Sequence, residues 1–319
     1  MQRIAVIGAG LMGHGIALEL AAHGYDVALH DRDPAMLERA QSSIAEGLAR
    51  LAEIGRITPD AASAAPTRIA MGIDARAAVA NADLVIEAVS EDLDLKRALF
   101  RDLDAWAPSH AILASNSSSF MPSLLAAATN RPDRVLVAHY FNPPHLLPLV
   151  ELVRGDQTSD EAIEAMRSLY TGIGKRPAVV QREAPGFVGN RLQMALLREA
   201  LAIVEAGIAT PEDVDTIITS SFGRRLAVAG VFEVFEAAGW DLTLAVAEQL
   251  FPAIDRSTEP PRSLRAKVAR GELGLKAGKG FYEWTPEEAA ALRRRIGEGL
   301  AAIARLSDGA GVDNHASSK

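Results

Sequence analysis

A short apolar strand that runs straight into glycines constrains this chain more than any other feature. Ile4-Ala5-Val6-Ile7 leads into Gly8-Ala9-Gly10-Leu11-Met12-Gly13, with Gly15 beyond, and then into the apolar stretch Ile16 to Ala22. The first run reads as a buried strand and the second as a helix that His23-Gly24 stops. Val27 to His30 reads as a second strand with Asp31 at its end, and Pro34 opens a long helix towards Ile54-Gly55. A β-α-β-α start of this kind is how a doubly wound parallel sheet begins.

The glycines fit G-x-G-x-x-G in the one context that gives the pattern meaning, after a strand and at the opening of a helix. The first glycine permits the tight turn, the second lets a pyrophosphate approach the backbone, and the third lets helix and strand pack closely. The helix N-terminus adds free N–H groups and partial positive charge. Asp31 lies 23 residues after Gly8, where a carboxylate accepts hydrogen bonds from the adenosine ribose and repels a 2′-phosphate. Arg32 beside it is the residue that would favour NADP, but the placement of Asp31 favours NAD. The expected fold class is therefore α/β, with an N-terminal Rossmann domain binding NAD.

The alternation continues through strand-like Leu84 to Ala88, Ile112 to Ala114, Val135 to Ala138 and Ala178 to Val180, with helical patterns at Leu95 to Leu103 and Glu161 to Ile173. Leu146 to Val153 is an apolar run broken by Pro148 and Glu151. Past Ala184-Pro185-Gly186 the strand signals stop. Phe187 to Gly207, Pro211 to Ser220, Val231 to Phe251 and Leu264 to Arg270 read as helices. The expected organisation is a Rossmann domain over 1–184, an all-α domain over 185–284, and a C-terminal part over 285–319. That last part begins with an amphipathic helix from Thr285 to Ile303 and ends in a polar stretch, Ser307 to Lys319, expected to be disordered.

Composition removes several function classes. The net charge of −8 opposes nucleic-acid binding, which favours a basic surplus. The absence of cysteine excludes disulfides, thiolate metal sites and a cysteine nucleophile, and no metal site is expected. No apolar run approaches the roughly 18 residues of a membrane span, and the N-terminus lacks a secretory pattern, so a cytoplasmic protein is the expectation.

A dinucleotide site names a binder and not a reaction, so the chemistry must come from polar residues near strand ends. Ala114-Ser115-Asn116-Ser117-Ser118-Ser119 follows a strand, which puts its hydroxyls at the carboxyl edge of the sheet. Helix capping accounts for one such serine and not for an unbroken run. Val135-Leu136-Val137-Ala138-His139 is a buried strand ending in histidine, and Glu151 lies twelve residues on inside an apolar run. A carboxylate there needs a partner, and His139 is the candidate. Asn190, in Pro185-Gly186-Phe187-Val188-Gly189-Asn190-Arg191, sits early in a helix where it could face the cleft, but from sequence alone a plain helix-start residue is the better reading.

Together these stretches resemble the L-3-hydroxyacyl-CoA dehydrogenase family over roughly residues 1 to 284. The likeness extends to Glu87-Ala88-Val89-Ser90-Glu91-Asp92-Leu93-Asp94-Leu95-Lys96, Phe141-Asn142-Pro143 and Lys276-Ala277-Gly278-Lys279-Gly280-Phe281-Tyr282. The resemblance implies that His139 is the general base in oxidation of a 3-hydroxy group and that Glu151 orients it. It also implies that Ser118 and Asn190 hold substrate oxygens. Gly8, Gly10, Leu11, Met12, Gly13, Asp31, Glu91, Lys96 and Asn116 then make the cofactor site, and the helical domain a homodimer. Alcohol oxidation needs a base that works near neutral pH, which a carboxylate-paired histidine supplies.

The substrate is a small hydroxy compound, either free or as a CoA thioester. Asn142-Pro143-Pro144-His145-Leu146-Leu147-Pro148 is similar to the branch acting on free acids, which includes gulonate, carnitine and pyridine-carboxylate dehydrogenases. Leu51 to Ile57 holds a single basic residue, Arg56, where a CoA phosphate would want more. Arg270-Gly271-Glu272-Leu273-Gly274, by contrast, looks like bacterial 3-hydroxybutyryl-CoA dehydrogenases. The rival readings are a 6-phosphogluconate-like hydroxyacid dehydrogenase with a lysine base, and a non-catalytic dinucleotide binder. The His139 and Glu151 pair speaks against the first, and the full set of polar residues against the second.

Overall fold

The computed structural model describes residues 1–309, and contacts divide the chain into two compact units, Met1–Arg191 and Leu192 onward. The first unit is built on β1 (Arg3–Ile7), β2 (Asp26–His30), β3 (Ile69–Gly72), β4 (Leu84–Glu87), β5 (Ile112–Ser115), β6 (Val135–Tyr140), β7 (Leu149–Arg154) and β8 (Arg176–Val180). Their order is β3-β2-β1-β4-β5-β6-β7-β8, so the winding reverses between β1 and β4. Ligands of open α/β sheets bind in the crevice at such a reversal, beyond the carboxyl ends of the strands.

Ile4, Ala5, Val6 and Ile7 are all buried, as are Leu84, Val85 and Ile86. Burial of successive residues means that both faces are covered, as expected of a doubly wound sheet. On one face Ala5, Ile7, Val85 and Leu113 pack with Phe100 and Leu103 of α5 (Leu93–Trp106). The connecting helices α1 (Gly13–Ala22), α2 (Pro34–Glu53), α3 (Pro59–Ala64), α4 (Ala75–Val79), α6 (Pro122–Ala126) and α7 (Asp160–Gly172) complete the unit. Asp33, Asp92 and Ser159 cap α2, α5 and α7 by accepting backbone N–H groups.

Two features of the sheet depart from the sequence reading. The strand β3 was not expected. Its four residues, Ile-Ala-Met-Gly, alternate between partial and full exposure at the sheet edge, so the apolar signal is weak. The sheet is also not parallel throughout, because β7 runs antiparallel to β6 and then pairs in parallel with β8. That single reversal brings the end of β6 and the start of β7 to one edge of the sheet.

The second unit is helical, as expected. Helix α8 (Gly189–Glu205) leads into it, followed by α9 (Pro211–Ser220), α10 (Phe222–Leu226), α11 (Val231–Ala238), α12 (Trp240–Leu250), α13 (Arg262–Ala269) and α14 (Pro286–Gly309). The helix expected over Val231 to Phe251 is two, interrupted at Gly239. Lys267 reaches from α13 to the Gly280 carbonyl and lies over the Phe281 ring, while the Tyr282 hydroxyl donates to Asp215. The Lys276 to Tyr282 motif thus folds back on α13 and α9. Helix α14 runs through Ser307 to Gly309, where the polar tail was expected to begin, and the rest of that tail lies outside the described residues.

Candidate active site at the carboxyl edge of the sheet

The glycine loop sits at the reversal point. The Gly8 N–H donates to the His30 carbonyl and the Ala88 N–H to Ile7, which ties the loops after β1, β2 and β4 together. A Cβ on Gly13 would fall 1.7 Å from the Gly8 carbonyl oxygen, so no side chain fits there. Gly10 has no atom within 4 Å of a Cβ position, so its backbone is open to a ligand. The first turn of α1 carries no acidic residue to oppose an anion. The Asp31 carboxylate accepts the Ala9 N–H at 2.9 Å and the Asp33 N–H at 3.0 Å, so it braces the loop at the end of β2. The open Gly10 backbone, the bare helix N-terminus and the adjacent carboxylate fit the pyrophosphate and ribose of NAD.

Residues far apart in sequence converge on a cavity of about 530 Å³ beside this loop. Gly10, Leu11 and Met12 of the glycine loop, Glu91, Lys96 and Asn116, and Ser118, His139 and Asn190 are among the residues that line it. The sequence-derived residues Gly8, Gly13, Asp31 and Glu151 lie outside the lining and support it.

His139 and Glu151 stand directly opposite each other in the β6–β7 ladder, and Nδ1 of His139 meets Oε2 of Glu151 at 2.8 Å. The antiparallel register makes them cross-strand neighbours. The other Glu151 oxygen accepts N–H groups from Val188 at 3.1 Å and Gly189 at 2.9 Å. Burial alone would raise the Glu151 pKa, but the His139 bond and these two backbone donors outweigh it and hold the carboxyl below its ordinary value. A carboxylate fixed in this way accepts a hydrogen bond from the Nδ1–H of a neutral imidazole, which leaves the unprotonated Nε2 as the basic nitrogen. The His139 ring is flanked by Phe141 at 4.7 Å and Phe187 at 5.6 Å between centroids. Phe187 has a left-handed backbone (φ 50) and is buried, and it starts the turn that aims Val188 and Gly189 at Glu151. Phe141 packs onto the bare backbone of Gly189, where a Cβ would lie 2.4 Å from its ring.

The other residues have local tasks. Asn116 accepts the Tyr140 N–H at 3.0 Å, which fixes the serine loop beside β6. The Asn190 amide donates to the Ser118 carbonyl at 3.3 Å, which brings the two expected substrate contacts together. Glu91 accepts the hydroxyls of Ser117 and Ser119 and lies 3.2 Å from Lys96. Burial opposes its charge, but the two hydroxyls and Lys96 outweigh it and keep Glu91 below its ordinary range. Lys96 is itself held by Glu87 at the end of β4, a residue that the sequence reading gave no role. The signal for Glu87 was present, since a carboxylate closing the buried run Leu84 to Ile86 needs a partner, as Glu151 does.

Comparison with known proteins agrees with this geometry. Residues 3–184 match the model of the 3-hydroxyacyl-CoA dehydrogenase NAD binding domain, and residues 186–284 that of the C-terminal domain. The chain belongs to the 3-hydroxyacyl-CoA dehydrogenase family. It is an NAD-dependent dehydrogenase, and its relatives include both CoA-dependent and CoA-free enzymes. A 5-formyl-3-hydroxy-2-methylpyridine 4-carboxylate 5-dehydrogenase of Mesorhizobium japonicum is 34% identical over 97% of this chain and 99% of its own. A crystal structure of an enzyme of that activity, described as an NAD+-dependent dismutase, superposes with a TM-score of 0.92 at 34% identity over the same shares of the two chains. A probable 3-hydroxybutyryl-CoA dehydrogenase of Deinococcus radiodurans is 38% identical over 89% of this chain and all of its own length. The crystal structure of the (S)-3-hydroxybutyryl-CoA dehydrogenase of Ralstonia eutropha covers 89% of this chain and 99% of its own, with a TM-score of 0.74 at 34% identity.

Proposed function

We propose that this enzyme oxidises a small, CoA-free carboxylate carrying a hydroxyl or hydrated formyl group, with His139 as the general base. The observation that carries the substrate class is the extent of the likeness. The pyridine-carboxylate dehydrogenase structure superposes with a TM-score of 0.92 over 97% of this chain, whereas the hydroxyacyl-CoA and hydroxybutyryl-CoA dehydrogenase structures reach 0.66 to 0.74 over 89% to 96% of it. The lone Arg56 in Leu51 to Ile57 supports the same reading, because a CoA phosphate calls for more positive charge. The higher identity of the Deinococcus relative favours a CoA thioester as the second reading.

NAD, when bound, supplies the hydride acceptor. Nε2 of His139 takes the proton from the substrate hydroxyl as the carbon is oxidised, and Glu151 stabilises the imidazolium that results. Ser118 and Asn190, which line the same cavity as His139, hold substrate oxygens. Gly8, Gly10, Leu11, Met12, Gly13 and Asp31 hold the pyrophosphate and ribose, and Glu91, Lys96 and Asn116 flank the reacting end of the cofactor. The helical unit would form a cytoplasmic homodimer, a reading supported by its exposed Leu196, Ile217, Phe232, Phe235, Trp240 and Phe251. NADH formation on a panel of L-3-hydroxybutyryl-CoA, free L-3-hydroxybutyrate, L-gulonate, carnitine and 5-formyl-3-hydroxy-2-methylpyridine 4-carboxylate tests the substrate class. A free acid is expected to give the highest kcat/KM, and preference for the thioester would overturn the reading.

A further inference from the structure

The charged groups beside the cavity do not balance. Glu87 is fully buried at the end of β4, and Lys96 on α5 is almost as deeply buried (0% and 1% exposed). Glu87 accepts from Lys96 at 2.5 Å, from the Ser115 hydroxyl at 2.5 Å and from the Val89 N–H at 2.7 Å. Lys96 also faces Glu91 at 3.2 Å, and Glu91 gathers Ser117 and Ser119. One lysine thus serves two carboxylates. The cluster carries one surplus negative charge, fixed by strand, helix and serine loop together.

Its location gives that charge a task. In the proposed function the glycine loop would hold the pyrophosphate and His139 would meet the reacting hydroxyl, which would set the nicotinamide ring between them. Glu91, Lys96 and Asn116 line the same cavity as Gly10 and His139. The oxidised ring carries a positive charge that the reduced ring lacks. A surplus carboxylate next to it favours the oxidised form; Glu87 and Lys96 are shielded from solvent, while Glu91, 37% exposed, is the member of the cluster that is partly screened.

We propose that Glu87 is a positioning residue that pins Lys96 and Ser115 and leaves the cluster one negative charge in excess, which shifts dinucleotide affinity towards NAD+ and away from NADH. Glu87 touches neither substrate nor cofactor, and acts through Lys96 and Glu91. The proposal rests on the placement of the cofactor in the proposed function, and its test separates the two.

The experiment measures Kd for NAD+, NADH and ADP-ribose by titration calorimetry on the full-length wild type and on Glu87→Gln, Glu87→Asp and Glu91→Gln. A unit charge within about 10 Å at an effective dielectric of about 20 alters the ratio of the two affinities by roughly ten-fold. Glu87→Gln is expected to raise Kd(NAD+)/Kd(NADH) by roughly that factor while ADP-ribose, which has no nicotinamide, still binds. Glu87→Asp keeps the charge and is expected to keep the wild-type ratio. An unchanged ratio in Glu87→Gln with ADP-ribose binding intact overturns the inference and leaves the cofactor placement standing. If Glu87→Gln loses ADP-ribose as well, Glu91→Gln decides: a raised ratio supports the surplus charge and an unchanged one overturns it. A wild type that binds no dinucleotide overturns both readings.

Discussion

Replacing Glu151 with glutamine changes one oxygen to an amide nitrogen and removes a charge, and the geometry makes the outcome calculable. Glu151 accepts three N–H groups, from His139 Nδ1, Val188 and Gly189. A carboxamide has a single acceptor oxygen. Turned towards the two backbone donors, it presents its NH2 to Nδ1, which must then be the unprotonated nitrogen. The proton moves to Nε2 and the base is lost. Turned towards Nδ1, it keeps the productive tautomer but sets its NH2 against two partly buried N–H donors. Each donor that loses its acceptor and faces an NH2 instead costs about 1–3 kcal/mol, so this orientation lies roughly 4 kcal/mol higher. At 1.4 kcal/mol per factor of ten, about one molecule in a thousand keeps the productive arrangement. Glu151→Gln is therefore expected to lower kcat by about 10³-fold, with NADH affinity unchanged. Stability should fall by only about 1–2 kcal/mol, because neutral bonds replace charge-assisted ones in a satisfied geometry. Steady-state NADH formation, fluorescence titration with NADH and a thermal melt measure the three quantities. A kcat within ten-fold of wild type would refute the assignment of Glu151 as the group that sets the His139 tautomer.

Two other perturbations have definite outcomes. Phe232 is 74% exposed in the helical unit, and Phe232→Glu is expected to convert a dimer into a monomer of 33.9 kDa by light scattering; an unchanged dimer would place the interface elsewhere. Burial pushes Glu19 on α1 up to about 7, against the opposing pull of Lys175 at 2.6 Å. A raised folded-state value means that folding takes up a proton, so the contribution is full below 4.5 and is lost as pH rises through about 7. The Tm of wild type relative to Glu19→Gln is therefore expected to fall from pH 4.5 to 7, and a constant difference across that window would contradict the linkage.

What was legible in the sequence is what is local. The strand, glycines and helix around Gly8 are contiguous, and Asp31 ends the next strand, so backbone sterics and spacing alone announce a dinucleotide loop. His139 and Glu151 were visible because polar groups in apolar runs demand partners. Their pairing depends on the antiparallel register of β6 and β7, which is a long-range property that no local pattern encodes. The same limit hid the partners of Glu87, Lys96 and Ser115, which come from a helix and a neighbouring strand. It also hid the buried pair Glu19 and Lys175, which joins α1 to the residue preceding β8, where Lys175 also donates to the carbonyls of Pro144 and Leu147. The short, half-exposed β3 lacked apolar residues enough to stand out from the Ala-rich segments around it. In the helical unit, periodicity gave the helices but not the break at Gly239.

The central claim is that the imidazole of His139 takes the substrate proton while the dinucleotide site stands independently of it. Replacing His139 with glutamine tests both halves at once, with turnover followed by NADH absorbance and binding by NADH fluorescence. Turnover is expected to fall by at least about 10³-fold, near the upper range for loss of a general base, while NADH binds as in wild type. Normal turnover in His139→Gln would contradict it.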